Sequence, residues 1–274
     1  GAGNDTYKTS TAVADTYTVN AGDGEDELSV TASTVLDTAL ETARYTNFEA
    51  LQINNIAATT ATFSQVMSLL ASTIDTVTVV AQDSTAGGAA DMTATTALTN
   101  AGASMTLKFE SLSTAETVFD LTVAASVAAL SDSDADTLAV VMGTTTAASG
   151  TTTVVDANDG SVVVNLTASN AETMTVLSQG GTNYIKSIDA ADLTSLTITG
   201  DKSLSIGALT NTTLLATIDA SAMTSTAALI MGTNASTTAS TITGTANADT
   251  LTGGTKADTI NGGAGIDTIN AGAG

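Results

Sequence analysis

Asp249, Asp258 and Asp267 stand nine residues apart, Leu251, Ile260 and Ile269 keep the same step, and Gly254, Gly263 and Gly272 keep it too. Three chemically different positions therefore repeat in phase as Gly-Gly-x-Gly-x-Asp-x-aliphatic-x. Each type has a physical role at that spacing. Glycine opens turn conformations closed to other residues, a lone aliphatic residue in a very short strand faces inward, and the aspartate offers an oxygen to a hard cation. Gly and Asp favour turns for local reasons, but local preference does not set three ladders in phase.

The same signature opens the chain. Gly1-Ala-Gly-Asn-Asp5-Thr-Tyr7 and Gly22-Asp-Gly24-Glu-Asp26-Glu-Leu28 both read Gly-x-Gly-x-Asp-x-apolar, with Asp15-Thr-Tyr17 a degenerate copy between them. Asp5, Gly22, Gly24 and Asp26 are the candidate metal-site residues here, the glycines as turn residues and the aspartates as side-chain ligands. Two further acidic clusters lie outside the repeats. Asp132, Asp134 and Asp136 alternate on one side of an extended Ser131–Asp136 and are candidate metal ligands, and Asp156-Ala-Asn-Asp-Gly160, a compact oxygen-rich turn, is a second candidate. Neither completes a twelve-residue EF-hand loop.

These repeats resemble the RTX calcium-binding nonapeptides. The resemblance implies calcium, Ca2+, as the cofactor and two nonads per coil of a parallel β-roll. Asp249 and Asp267 would then stack on one edge and Asp258 would lie on the other. It also implies that the carbonyls of Gly254, Gly263 and Gly265 complete the calcium shells, with Leu251, Ile260 and Ile269 as the core beneath.

Composition limits the function classes. Twenty-eight acids against six bases give a net charge of −22, and with no His that charge barely changes across neutral pH. Nucleic acid is excluded as a partner, because such a surface repels phosphates, whereas divalent cations relieve its self-repulsion. No apolar run is long enough for a transmembrane helix, so no membrane insertion is expected. Without Cys, neither disulfides nor thiolate metal sites staple the fold. Catalysis through Ser-His-Asp, Cys-His or zinc-histidine is unavailable, and no Gly-x-Ser-x-Gly elbow occurs. A polysaccharide-cleaving carboxylate pair would need a groove with aromatic platforms, and this chain has no Trp and only eight Phe and Tyr. It reads as non-enzymatic.

Elements must position these residues. Threonine fills roughly a fifth of the chain, Pro is absent, and the core must be built from Val, Ile, Leu, Ala and Thr methyls. The fold class is all-β. Asn165–Val176 aligns without gaps on Ser187–Ile198, and Thr217–Ser225 resembles Ser187–Ser195 thirty residues earlier. Units of this size with short strands suit an elongated parallel β-helix or β-solenoid, in which each coil covers the next. A two-sheet sandwich is the alternative for residues 30–160. One short helix is expected where Thr62-Phe-Ser-Gln65 fits a capping box and Phe63, Val66, Met67 and Leu70 share a helical face. The expected division is residues 1–30 as N-terminal RTX-like repeats, 31–240 as the Thr/Ala-rich solenoid body and 241–274 as the C-terminal β-roll.

With the Thr/Ala-rich texture and segments such as Asn47-Phe-Glu-Ala-Leu-Gln-Ile53, the chain resembles a bacterial surface-layer (S-layer) protein of the RTX class, Caulobacter-type. That implies secretion by a type I system of a Gram-negative cell to the extracellular surface. It also implies self-assembly into a homo-oligomeric lattice or filament, and attachment to outer-membrane lipopolysaccharide through a region outside this chain. The chain opens and closes within half-repeats and reads as an internal block of a longer polypeptide. The alternative is a stalk or ligand-binding module of a large RTX adhesin or biofilm protein.

Overall fold

The computed structural model describes residues 1–10, 17–30, 43–53, 60–66, 74–81, 92–99, 104–111, 121–128, 136–143, 162–224 and 226–274. Its strands, in chain order, begin with β1 Thr6–Thr9, β2 Val19–Asn20, β3 Glu27–Val30, β4 Tyr45–Thr46, β5 Ala50–Ile53, β6 Thr60–Val66, β7 Thr76–Ala81 and β8 Met92–Thr99. They continue with β9 Ser104–Ser111, β10 Leu121–Ala128, β11 Thr137–Met142, β12 Val162–Thr167, β13 Thr173–Ser178, β14 Asn183–Asp189 and β15 Ser195–Gly200. The last are β16 Leu204–Thr210, β17 Thr217–Met223, β18 Leu229–Asn234, β19 Thr241–Thr243, β20 Thr250–Thr252, β21 Thr259–Asn261 and β22 Thr268–Asn270.

Odd-numbered strands form an eleven-stranded sheet in the order β1-β3-β5 through to β21, and even-numbered strands from β6 to β22 form a nine-stranded sheet. The pair β2 and β4 stands as a separate two-stranded sheet. Pairings are parallel along all three. Each coil therefore lays one strand on each face and stacks its successor by in-register hydrogen bonding, which is a β-solenoid and not an antiparallel sandwich. The parallel pairs β3–β5, β5–β7, β7–β9 and β9–β11 extend this into residues 30–160.

Stacking creates the core. On the odd-strand sheet, Met105, Leu138, Met174, Leu196, Ile218, Ile242 and Ile260 follow one another in register. All are buried except half-buried Ile260. Period-two alternation sends these side chains inward and their Thr and Ser neighbours outward. Ile242 pairs Ile260 on one sheet and Leu251 pairs Ile269 on the other, so the aliphatic ladder of the nonapeptides is two ladders facing each other.

Two expectations are corrected. The segment read as a helix is strand β6 over Thr60–Val66, paired with β8 along its length; Met67 and Leu70 lie outside the described residues. The helical spacing of Phe63 and Val66 yields to β-branched Thr60 and Thr62 and to a neighbour that offers backbone partners at every residue. The match of Thr217–Ser225 to Ser187–Ser195 does not mark equivalent places in two coils. Ser187 lies in the last half of even strand β14 and stacks on Asn165 and Ala208, whereas Thr217 starts an odd strand and stacks on Ser195 and Thr241. The shared motif Ile-Asp-Ala is a local solution used on either side of the even-to-odd turn, at the end of β14 and at the start of β17. The alignment of Asn165–Val176 on Ser187–Ile198, by contrast, is the register itself, since Leu166 pairs Ile188 and Val176 pairs Ile198.

Candidate calcium centre

The C-terminal nonapeptides fold into short strands joined by turns at two edges. Turn 244–249 stacks on turn 262–267 at one edge, where the Asp249 amide donates to Asp267 Oδ1 at 3.0 Å and the Thr268 amide to the Asp249 carbonyl at 2.8 Å. Asp258 lies at the other edge, where its Oδ1 accepts from the Ser240 amide at 2.8 Å. Eighteen residues complete one coil here.

The three carboxylates differ in how far protein donors satisfy them. Asp249, 2% exposed, accepts from the Leu229 amide at 2.7 Å, the Thr245 amide at 2.6 Å and Thr245 Oγ1 at 3.0 Å. Half-buried Asp258 accepts from the Ser240 amide and, at 2.7 Å, from the Gly254 amide. Half-buried Asp267 accepts from the Asp249 amide. Lone pairs left over increase toward the C-terminal coil.

Backbone carbonyls converge on the same places. A Cβ on Gly244 would lie 2.5 Å from both Asp249 Oδ2 and the Gly262 carbonyl oxygen. One on Gly253 would lie 2.5 Å from the Ala271 carbonyl oxygen and 2.6 Å from Asp258 Oδ2. At each edge, then, a carboxylate oxygen and a carbonyl oxygen face one volume that only glycine leaves open. These Oδ2 atoms also accept from the Thr245 and Gly254 amides, and an all-oxygen lining of this kind fits a hard, oxygen-liganded ion. No three acidic side chains converge on such a point among the described residues, and carbonyls must supply much of the shell.

The expected glycine carbonyls are placed less simply. Gly254, Gly263 and Gly265 lie in the correct turns, with Gly263 and Gly265 at positive φ. The Gly254 carbonyl accepts from the Ala273 amide at 3.1 Å. The carbonyl oxygens that share the Gly244 and Gly253 volumes with a carboxylate belong to Gly262 and Ala271, which the motif did not single out. Their signal is positional: each follows an aliphatic-Asn pair.

The N-terminal copy shows the same construction. The bridge between Ala2 and Asp23 sets Gly1–Asp5 directly on Gly22–Asp26. Gly22 and Gly24 have φ of 107° and 153°, and a Cβ on either would run into the carbonyl oxygen of Gly1 or Gly3. The Asp5 amide donates to Asp26 Oδ1 at 2.7 Å.

One rule joins both ends. The acidic residue leading a strand accepts from the leading amide of the coil before it. Asp26 does so for Asp5, Glu49 for Asp26 at 2.8 Å, Glu172 for Asp136 at 2.7 Å, Asp258 for Ser240 and Asp267 for Asp249. Asp75 leads β7 at the corresponding place but through its backbone, its amide donating to the Glu49 carbonyl at 3.2 Å, while its Oδ1 accepts from the Thr76 hydroxyl at 3.0 Å. Sequence reasoning missed Glu49, Asp75 and Glu172. The available signal was acid-x-aliphatic, as in Glu49-Ala-Leu51, Asp75-Thr-Val77 and Glu172-Thr-Met174, each ending on a buried side chain. Asp136 belongs to this spine and is fully buried. Asp132, Asp134 and the turn at 156–160 lie outside the described residues.

Residues 243–274 match the family model of the RTX calcium-binding nonapeptide repeat, in four copies. No curated protein and no solved structure matches the chain. The C-terminal coils are therefore RTX repeats, and such repeats bind calcium.

Proposed function

We propose that this chain is a structural, non-enzymatic protein of the cell exterior, whose calcium-stabilised solenoid self-assembles into a surface layer or filament. The observation that carries this reading is the outward face of the odd-strand sheet. Thr137, Thr173, Ser195, Thr217, Thr241 and Thr259 run in register across six strands. Beside them run Ala139, Thr175, Thr197, Asp219, Thr243 and Asn261. In a chain of net charge −22, these twelve positions hold one carboxylate, and Asp219 Oδ1 is engaged by the Ser221 amide at 2.9 Å. The spine acids lie at the edges. Two copies can approach through such a carboxylate-poor face with little charge repulsion, while their acidic edges keep wrong contacts apart.

Calcium neutralises the edge oxygens when bound. In a calcium-poor cytoplasm Asp249, Asp258 and Asp267 would repel the carbonyls facing them and leave the last coils unstacked; outside the cell the coils close and the face extends. The ligands of this reading are Asp249, Asp258 and Asp267 with backbone carbonyls of the turns, those of Gly254, Gly263 and Gly265 and those of Gly262 and Ala271 that share the Gly244 and Gly253 volumes.

Negative-stain electron microscopy in millimolar calcium and in excess chelator, with circular dichroism on the same samples, tests the reading. Ordered sheets or filaments in calcium, dispersed by chelator, are expected. The pair Thr175→Glu and Thr217→Glu, both at exposed positions, should abolish the arrays and keep the calcium-dependent β signal. Isolated rods from the parent protein would replace this reading with an adhesin stalk, and no calcium response would overturn both.

A further inference from the structure

At the end of the solenoid opposite the matched repeats, Asp26 is 0% exposed and its Oδ2 has no hydrogen-bond partner. Its other oxygen accepts from the Asp5 amide at 2.7 Å, its own amide donates to Glu49 Oε2 at 2.8 Å, and its carbonyl accepts from the Glu49 and Ala50 amides. The backbone is thus fully engaged, and one carboxylate oxygen is held dry and unpaired within a stack of three acidic residues. Burying a carboxylate without a counter-charge costs several kcal/mol. Neutral turn groups do not remove that cost, since the Gly1 and Gly3 carbonyls face the same turn at Gly22 and Gly24 and add further negative ends of dipoles.

We propose that Asp26 Oδ2 and the Glu49 carboxylate hold a divalent cation of the calcium class in the Asp5–Asp26–Glu49 stack, with turn carbonyls completing an oxygen shell. The proposal deepens the calcium reading but rests on residues outside the matched repeats. Glu49 follows Thr46-Asn47-Phe48, a turn with no glycine, so its side chain reaches the stack by the extra methylene of Glu over Asp. Hard cations suit this site because every candidate ligand is oxygen and two carry charge.

The tyrosines give this site its own readout. Tyr7, Tyr17, Tyr45 and Tyr184 are the four in the chain. The Tyr7 and Tyr45 rings stand 6.1 Å apart, beside the strands that Asp5 and Glu49 lead. In a Tyr184→Phe background, tyrosine-sensitised terbium luminescence reports an ion near the first coils and is blind to the C-terminal repeats, which hold no aromatic residue. Expected are sensitised emission that saturates and is competed by calcium, and binding weakened at least about ten-fold by Asp26→Asn and by Glu49→Gln. The pair Asp258→Ala and Asp267→Ala should leave that emission unchanged while lowering total calcium bound. Absence of sensitised emission in the background protein overturns the proposal, as does unaltered affinity in Glu49→Gln if Asp26→Asn fails to fold. Arrays missing with emission intact would fail the assembly reading alone.

Discussion

At the scale of single residues, the aspartates of the nonapeptides are not equivalent, although the motif writes them identically. Asp249 is enclosed and satisfies three donors, whereas Asp267 satisfies one and is half-buried. Removing a carboxylate strands each donor it served, at about 1–3 kcal/mol for a buried group. In saturating calcium, Asp249→Ala should therefore lower stability by several kcal/mol and Asp267→Ala by roughly 1 kcal/mol, read as denaturant midpoints of the two variants. Equal midpoints would show that calcium ligation alone, and not the amide ladder, fixes the value of these residues. The three ladders were legible because period nine is rigid there. The wider acid spine was not, because the separation between stacked acids runs 21, 23, 36 and 18 residues as turns lengthen and shorten. A fixed-period search finds the roll and passes over Glu49 and Glu172, while acid-x-aliphatic, which ignores the period, finds both.

At the scale of elements, each strand is short and derives its position from the strand beneath it. That dependence explains why β6 was misread: Phe63 and Val66 have helical spacing, and nothing within Thr60–Val66 reveals that β8 waits alongside. Conversely, the 22-residue alignment was readable because successive coils there carry the same buried residues at the same places, Leu166 on Ile188 and Met174 on Leu196. Stacking makes energetics local along the axis. Leu196 and Ile218 pair directly and both are 0% exposed, so truncating either to Ala should cost about 2–5 kcal/mol. The double truncation should be non-additive by more than about 0.5 kcal/mol, while Leu196→Ala combined with Leu28→Ala, many coils away, should be additive within about that margin. Urea unfolding of the three singles and two doubles separates the cases; coupling of equal size in both pairs would mean that the solenoid melts as one body and that nearest-neighbour terms do not govern it.

At the scale of the whole molecule, two chemistries close the turns of one continuous pair of sheets. In the coils just before the C-terminal nonapeptides, hydroxyls and amides close several turns: Ser236 Oγ and Ser240 Oγ both donate to the Leu215 carbonyl, at 2.9 and 2.7 Å, and buried Asn183 reaches Ser178 Oγ at 2.8 Å and the Gln179 carbonyl at 3.1 Å. These neutral partners need no ion. From Gly244 onward the turns instead bring carboxylate and carbonyl oxygens together, as at Gly244 and Gly253, in repeats of a kind that binds calcium. With a charge of −22 and no cationic histidine, a divalent cation is the natural counter-charge for these edges. Sodium chloride screens the general repulsion but cannot bridge two oxygens at a turn. Hydrogen exchange in calcium, and in chelator with added salt, should therefore show protection lost across residues 244–274 and kept across 162–223, with Ser240 marking the boundary. Loss spread evenly over both segments would mean that the hydroxyl-capped coils also depend on ions, and retention of the last coils in salt alone would mean that screening, and not ligation, holds the roll together.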